Sequence, residues 1–176
     1  MEQSDKLRRM SLPKAIQLRI FRRDHWLCQW CAKPVIFAPV MRCIELELRK
    51  AGCSVPLAYH HLHWTRTTAP LLDELGAVLD HVEAHSRGGL STEDNLKTSC
   101  AKCNGRKSSR SQEDWDKRKK RNAIKAKYGE PELWDGLSNL FVLLAERNLT
   151  SLSAGEREWL RVLKQRQEVN QSSLGM

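Results

Sequence analysis

Between Pro13 and Arg23 the apolar residues Ile16, Leu18, Ile20 and Phe21 recur at helical spacing. The pattern predicts a first helix that Ser11 can cap, with Pro13 in its first turn and an end near "RDHW". A turn carrying Cys28 and Cys31 follows. The stretch 39–51, "PVMRCIELELRKA", predicts a second helix closed by Gly52. Residues 53–70 show no period and are expected to be irregular; they hold His60, His61 and His63. "AVLDHV" (77–82), a short apolar run after Gly76, predicts a strand, and "NLKTSC" (95–100) a second, antiparallel one. The polar "HSRGGLSTED" between them reads as a loop. After Cys103 a basic helix is expected towards Lys127, until Gly129-Glu130-Pro131 breaks the chain. Two more helices are expected at roughly 132–147 and 154–169, with Ser153 and Glu156 spaced as a capping box for the last. Trp134, Leu137, Leu140, Phe141 and Leu144 recur at helical spacing, which predicts core packing. The same helices offer a face for a second copy or a protein partner.

Composition narrows the class. A chain of 176 residues, 40 % hydrophobic, suits one domain, or one domain with an appendage. Its longest apolar run, Leu140 to Ala145, is far short of the ~20 residues of a membrane span. "MEQSDKLRRMSLPK" has no apolar core and is no secretory signal, so a cytoplasmic location is expected. The net charge is +9, and the window 101–127 holds 11 basic residues against 3 acidic ones. A solvated helix face is one reading of that window. Charge of one sign beside a candidate metal site favours a polyanion, meaning nucleic acid.

Six cysteines in an intracellular chain point to metal or redox chemistry rather than disulfides. Four form the pairs Cys28/Cys31 and Cys100/Cys103, while Cys43 and Cys53 stand alone. Two such pairs supply the four soft ligands of tetrahedral zinc. The 68 residues between the pairs exceed the usual gap of roughly 15–20, and an inserted segment at about 39–75 accounts for the excess. Two unrelated pairs, or a redox motif, is the competing reading. Asp80, His81, Asn95 and Asn104 converge if the two strands pair, the helix packs across them and the first strand ends near His81. A histidine there suits a general base near neutrality. The oxygens of Asp80 and Asn104 suit Mg²⁺ or Mn²⁺ better than zinc. His85 reads as a loop residue, Cys43 as core, and Cys53 with His60, His61 and His63 as a weaker second metal cluster.

"FRRDHWLCQWC", "LDHVEAHSRGG" and "TEDNLKTSCAKCNGRK" together resemble the HNH endonucleases in their zinc-bound four-cysteine form. The resemblance covers roughly 12–38 and 76–110. It implies an α+β fold: a ββα-metal finger with structural zinc, embedded in a mostly helical chain. A nuclease domain at 11–127 and a C-terminal helical appendage at 130–170 are expected. By position His81 is implied as the general base and Asn95 as the residue whose contacts hold the loop and orient it. Asp80 and Asn104 are implied as ligands of a catalytic Mg²⁺ or Mn²⁺; Asn104 stands where the family name implies histidine. Cys28, Cys31, Cys100 and Cys103 are implied as the structural zinc site. Double-stranded DNA is the expected substrate, cut to 5′-phosphate and 3′-hydroxyl ends. Arg106, Lys107, Arg110, Lys117, Lys119 and Lys120 are the expected contacts, Lys107 matching a family lysine near the phosphate backbone. A non-catalytic zinc module binding nucleic acid is the alternative.

Overall fold

Leu18, Ile20 and Phe21 form the buried stripe of the first helix, α1 (Lys14–Arg23). The computed structural model describes residues 12–58, 69–108, 110 and 134–174. The expected Ser11 cap, and His60, His61 and His63, lie outside the described residues. After α1, His25 and Trp26 adopt left-handed φ angles of 54° and 52° and turn the chain sharply. A small hairpin follows, joined by Cys28 N–H to Lys33 O (2.8 Å) and Val35 N–H to Trp26 O (2.9 Å). It leads into α2 (Ala38–Lys50). Gly52, at φ 81°, ends that helix as expected, and Cys53 N–H reaches back to Leu48 O at 2.8 Å. Just where the expected irregular stretch ends, an unforeseen helix begins on a proline, α3 (Pro70–Leu75).

Strands β1 (Ala77–His81) and β2 (Leu96–Cys100) pair antiparallel, from Ala77 opposite Cys100 to His81 opposite Leu96. Each lies within one residue of its predicted bounds. α4 (Ala101–Lys107) follows directly, giving the order ββα. The far edge of β2 is also used: Gln29 N–H donates to Thr98 O at 2.9 Å and Thr98 N–H to Asp24 Oδ2 at 2.7 Å. Gly76 admits the chain to β1, since a Cβ there would stand 2.5 Å from Leu72 O.

The basic helix departs from expectation. α4 starts before Cys103 and stops at Lys107, capped by Ser108 at φ 50° and ψ −127°. Residues 111–133 lie outside the described residues. The last two helices are α5 (Ser138–Arg147) and α6 (Ala154–Leu174). α5 starts later than periodicity suggests because the Asp135 carboxylate accepts the N–H groups of Leu137 and Asn139, both at 2.9 Å. Gly136 beside it packs so close to Trp26 that a Cβ would lie 2.3 Å from the ring. The capping box forms: Ser153 N–H donates to Glu156 Oε2 at 2.7 Å and Glu156 N–H to Ser153 Oγ at 3.3 Å.

Phe37 centres the core, edge-on to Trp26, Phe141 and Trp159 at ring separations of 5.9, 5.2 and 5.0 Å. One hydrophobic cluster joins the cysteine hairpin to α1, α2, α5 and α6. The C-terminal helices therefore pack on the finger. Val40, Met41 and Cys43 of α2 belong to the same cluster, so the segment read as an insertion contributes a helix to the shared core. Burial pushes the Cys43 thiol up to about 11, which suits an inert core thiol. No described helix is long and apolar enough to cross a membrane.

Candidate active site and metal centre

Cys28 and Cys31 sit on the hairpin, Cys100 at the end of β2 and Cys103 in the first turn of α4. Folding thus joins segments that are distant in sequence. The four Sγ atoms lie within 4.8 Å of one another, and all four residues are buried. Cys31 Sγ and Cys100 Sγ are 3.9 Å apart, too far for a disulfide of about 2.05 Å. A zinc tetrahedron with Zn–S bonds of about 2.3 Å has edges of about 3.8 Å. The cluster fits that ion. Crowding also splits the thiols. Hydrogen bonds from Cys100, then Cys103 and Cys31, pull Cys28 far down, while the same contacts hold Cys100 protonated. Cys103, bonded first to Cys100, falls to about 7. Four thiolates cannot share this space without a cation, and zinc would supply one. Cys103 N–H also points at Cys100 Sγ, at 3.4 Å.

β1 ends on Asp80 and His81, and strand alternation sends them different ways. Asp80 is 6 % exposed. Its Oδ1 faces the Lys107 ammonium at 3.5 Å, and among the described residues its Oδ2 has no hydrogen-bond partner. Burial raises its pKa, and the charge of Lys107 and the nearby Trp30 indole N–H oppose the rise. His81 is half-buried at the strand's end, with Nε2 3.0 Å from Ser91 Oγ. The His85 ring stands 6.1 Å from its own. A groove of about 360 Å³ opens here, lined in part by Phe21, Leu79, His81, Ser91 and Leu96.

The loop between the strands is clamped from inside. Asn95 Oδ1 accepts Glu83 N–H at 2.9 Å, while its Nδ2 donates to Glu83 O at 3.1 Å and Leu90 O at 2.8 Å. Gly89 passes so near that a Cβ would lie 1.9 Å from Glu83 O. The side chain expected to hold this loop makes three bonds across it.

Lys107 departs from the sequence reading. Expected to contact DNA, it is fully buried, because Cys100, Cys103 and Lys107 recur at the spacing of one helix face. Its Nζ donates to His81 O at 2.6 Å and stands 5.3 Å from the Trp30 ring centroid. A phosphate contact requires it to leave these partners. Asn104, half-buried, lies three residues earlier and so neighbours Lys107 along α4. A carboxylate oxygen without a hydrogen-bond partner among the described residues suits a hard cation by chemistry, in competition with the Lys107 ammonium. Arg106 and Arg110 are exposed; Lys117, Lys119 and Lys120 lie outside the described residues. The other basic face, on α1, is partly engaged: Arg19 pairs with Glu93 at 2.8 Å and Arg23 with Asp24 at 2.9 Å.

Ser91, Trp30 and Asp24 escaped the sequence reading. A serine in a polar loop and an aspartate after a helix carry no spacing signal. The burial of Lys107 was recoverable from its distance to Cys103.

Residues 72–110 match the HNH endonuclease family, a span that holds most of α3, both strands and α4. Cys28 and Cys31 fall outside the match. No curated protein and no solved structure matches the chain.

Proposed function

From the HNH segment at residues 72–110, we propose that the protein is a metal-dependent endonuclease hydrolysing phosphodiester bonds in double-stranded DNA. The observation that carries this reading is the position of His81. It stands at the open end of β1, beside a groove and under a loop clamped by Asn95.

In this mechanism His81 takes a proton from water, and the resulting hydroxide attacks phosphorus. Asp80 and Asn104 would hold Mg²⁺ or Mn²⁺, and that ion would stabilise negative charge on the phosphate and the leaving oxygen. Cleavage leaves 5′-phosphate and 3′-hydroxyl ends. Zinc on Cys28, Cys31, Cys100 and Cys103 fixes the hairpin to β2 and α4, and so fixes the base. Exposed Arg106 and Arg110, with Lys117, Lys119 and Lys120, contact the DNA backbone. The finger spans 11–127, and the helices of 130–170 buttress it.

One observation favours a second reading. The Asp80 carboxylate faces a buried lysine rather than the groove, which suits a zinc module that binds nucleic acid without cutting it. Incubating plasmid with zinc-loaded protein, with and without added Mg²⁺ or Mn²⁺, separates the two. Nicking that requires the added cation supports the nuclease. Salt-sensitive binding without cleavage of single-stranded, duplex or modified DNA supports the module.

A further inference from the structure

Asn95 holds the loop through three bonds, two to Glu83 and one to Leu90. In the same loop the Ser91 Oγ lies 3.0 Å from His81 Nε2, and the His85 ring stands edge-on to the imidazole at 6.1 Å. Ser91 directly follows Leu90, the residue whose carbonyl Asn95 fixes at 2.8 Å. The close pass of Gly89 against Glu83 O sets the backbone two residues earlier. The hydroxyl is thus carried on a stretch of chain anchored at the two residues before it, Gly89 and Leu90. It meets the ring where His81 lines the groove.

We propose that Ser91 is the positioning residue for His81, setting the ring's rotation and tautomer through Nε2. The proposal rests on the reading of His81 as the general base. A neutral imidazole has one N–H and one lone pair, and its partners decide which nitrogen carries the proton. In the proposed tautomer Nε2–H donates to Ser91 Oγ, which leaves the lone pair on Nδ1 to take the proton from water. Ser91 never touches the reacting atoms. It acts by keeping one ring orientation populated, so its loss lowers kcat and leaves KM alone. One hydrogen bond of ordinary net strength biases such an equilibrium about 2- to 12-fold.

The test uses full-length, zinc-loaded protein with ¹⁵N-labelled histidine. The peaks of His81 are assigned by their loss in His81→Ala. In wild type its shifts should report Nε2 protonated and Nδ1 bare; in Ser91→Ala they should move towards a tautomer average. Plasmid nicking by Ser91→Ala should fall about 2- to 12-fold in kcat at unchanged KM. Ser91→Thr, which keeps the hydroxyl, should restore both signals. Unchanged shifts and unchanged kcat in Ser91→Ala overturn the proposal. A raised KM at constant kcat also overturns it, by making Ser91 a substrate contact. If wild type cuts nothing, the nuclease reading fails and the catalytic role of Ser91 fails with it. The ¹⁵N shifts then still report whether the hydroxyl sets the ring.

Discussion

The ammonium of Lys107 stands 3.5 Å from Asp80 Oδ1, with the lysine side chain wholly buried and the aspartate nearly so. Its second bond, to His81 O at 2.6 Å, fastens the C-terminal turn of α4 to the last residue of β1. A charge on the helix therefore braces the strand end that carries the expected base, His81, and the expected metal ligand, Asp80.

Lys107→Met should be costly. It leaves a buried carboxylate without its counter-charge, a loss on the order of 3–5 kcal/mol. Denaturant titration should show it, and the double change with Asp80→Asn should recover a large part of it. A drop below about 1 kcal/mol would mean that water reaches Asp80 and that the pair is loose.

Asp80→Asn should behave differently with pH. Burial raises the pKa of Asp80, so the folded protein binds its proton more tightly than the unfolded chain. The charged form is thus the less stable one in the fold, and wild type gains stability as pH falls through the raised pKa towards 3.8. The amide, a neutral mimic, gains nothing there. Without added divalent cation, wild type should therefore gain stability relative to Asp80→Asn on acidification, whichever of the two is the more stable near pH 7. Parallel stability curves for the two proteins would contradict this.

The thiol cluster makes a separate prediction. Structural zinc contributes on the order of 10–16 kcal/mol in small peptides, comparable with a whole domain's stability of about 5–15 kcal/mol. Elemental analysis should find one zinc per chain. Cys100→Ser should lose it and give poorly folded protein by circular dichroism, while Cys43→Ser, in the apolar core, should keep it. Folded protein without zinc would remove the metal from the account.

Asn95→Ala should loosen one loop and spare the rest. Three bonds from one side chain disappear. Water replaces part of them at this half-exposed site, so a cost of about 1–3 kcal/mol follows. Amide exchange should speed up across residues 83–95, with zinc content and the exchange of α5 unchanged. Uniform acceleration over the whole chain would show that Asn95 supports the global fold.

Much of this was written in local pattern. The strands showed as short apolar runs beside turn residues, and Ser153 with Glu156 announced a helix start. The two cysteine pairs pointed to four thiols gathered in one place, which the fold brings within 4.8 Å of one another as a group that could hold zinc. What stayed hidden depends on contacts between distant segments. Asp135 and Gly136 delay α5 because Trp26 packs against the glycine, which no helical period reveals. The basic run after Cys103 suggested one long helix, yet Ser108 at positive φ stops α4. Lys107 was counted with the DNA contacts because it matches a family lysine near the phosphate backbone, yet its helix face buries it. Net charge says which residues are basic; the fold decides which of them meet solvent.

The central claim is that His81 performs the chemistry. The most direct measurement is the single-turnover rate of plasmid cleavage by wild type and His81→Ala, in matched Mn²⁺, at saturating protein and equal zinc content. The account predicts equal DNA binding and a rate lower by about 10²–10⁴-fold in the variant. A His81→Ala protein that cuts as fast as wild type would contradict it.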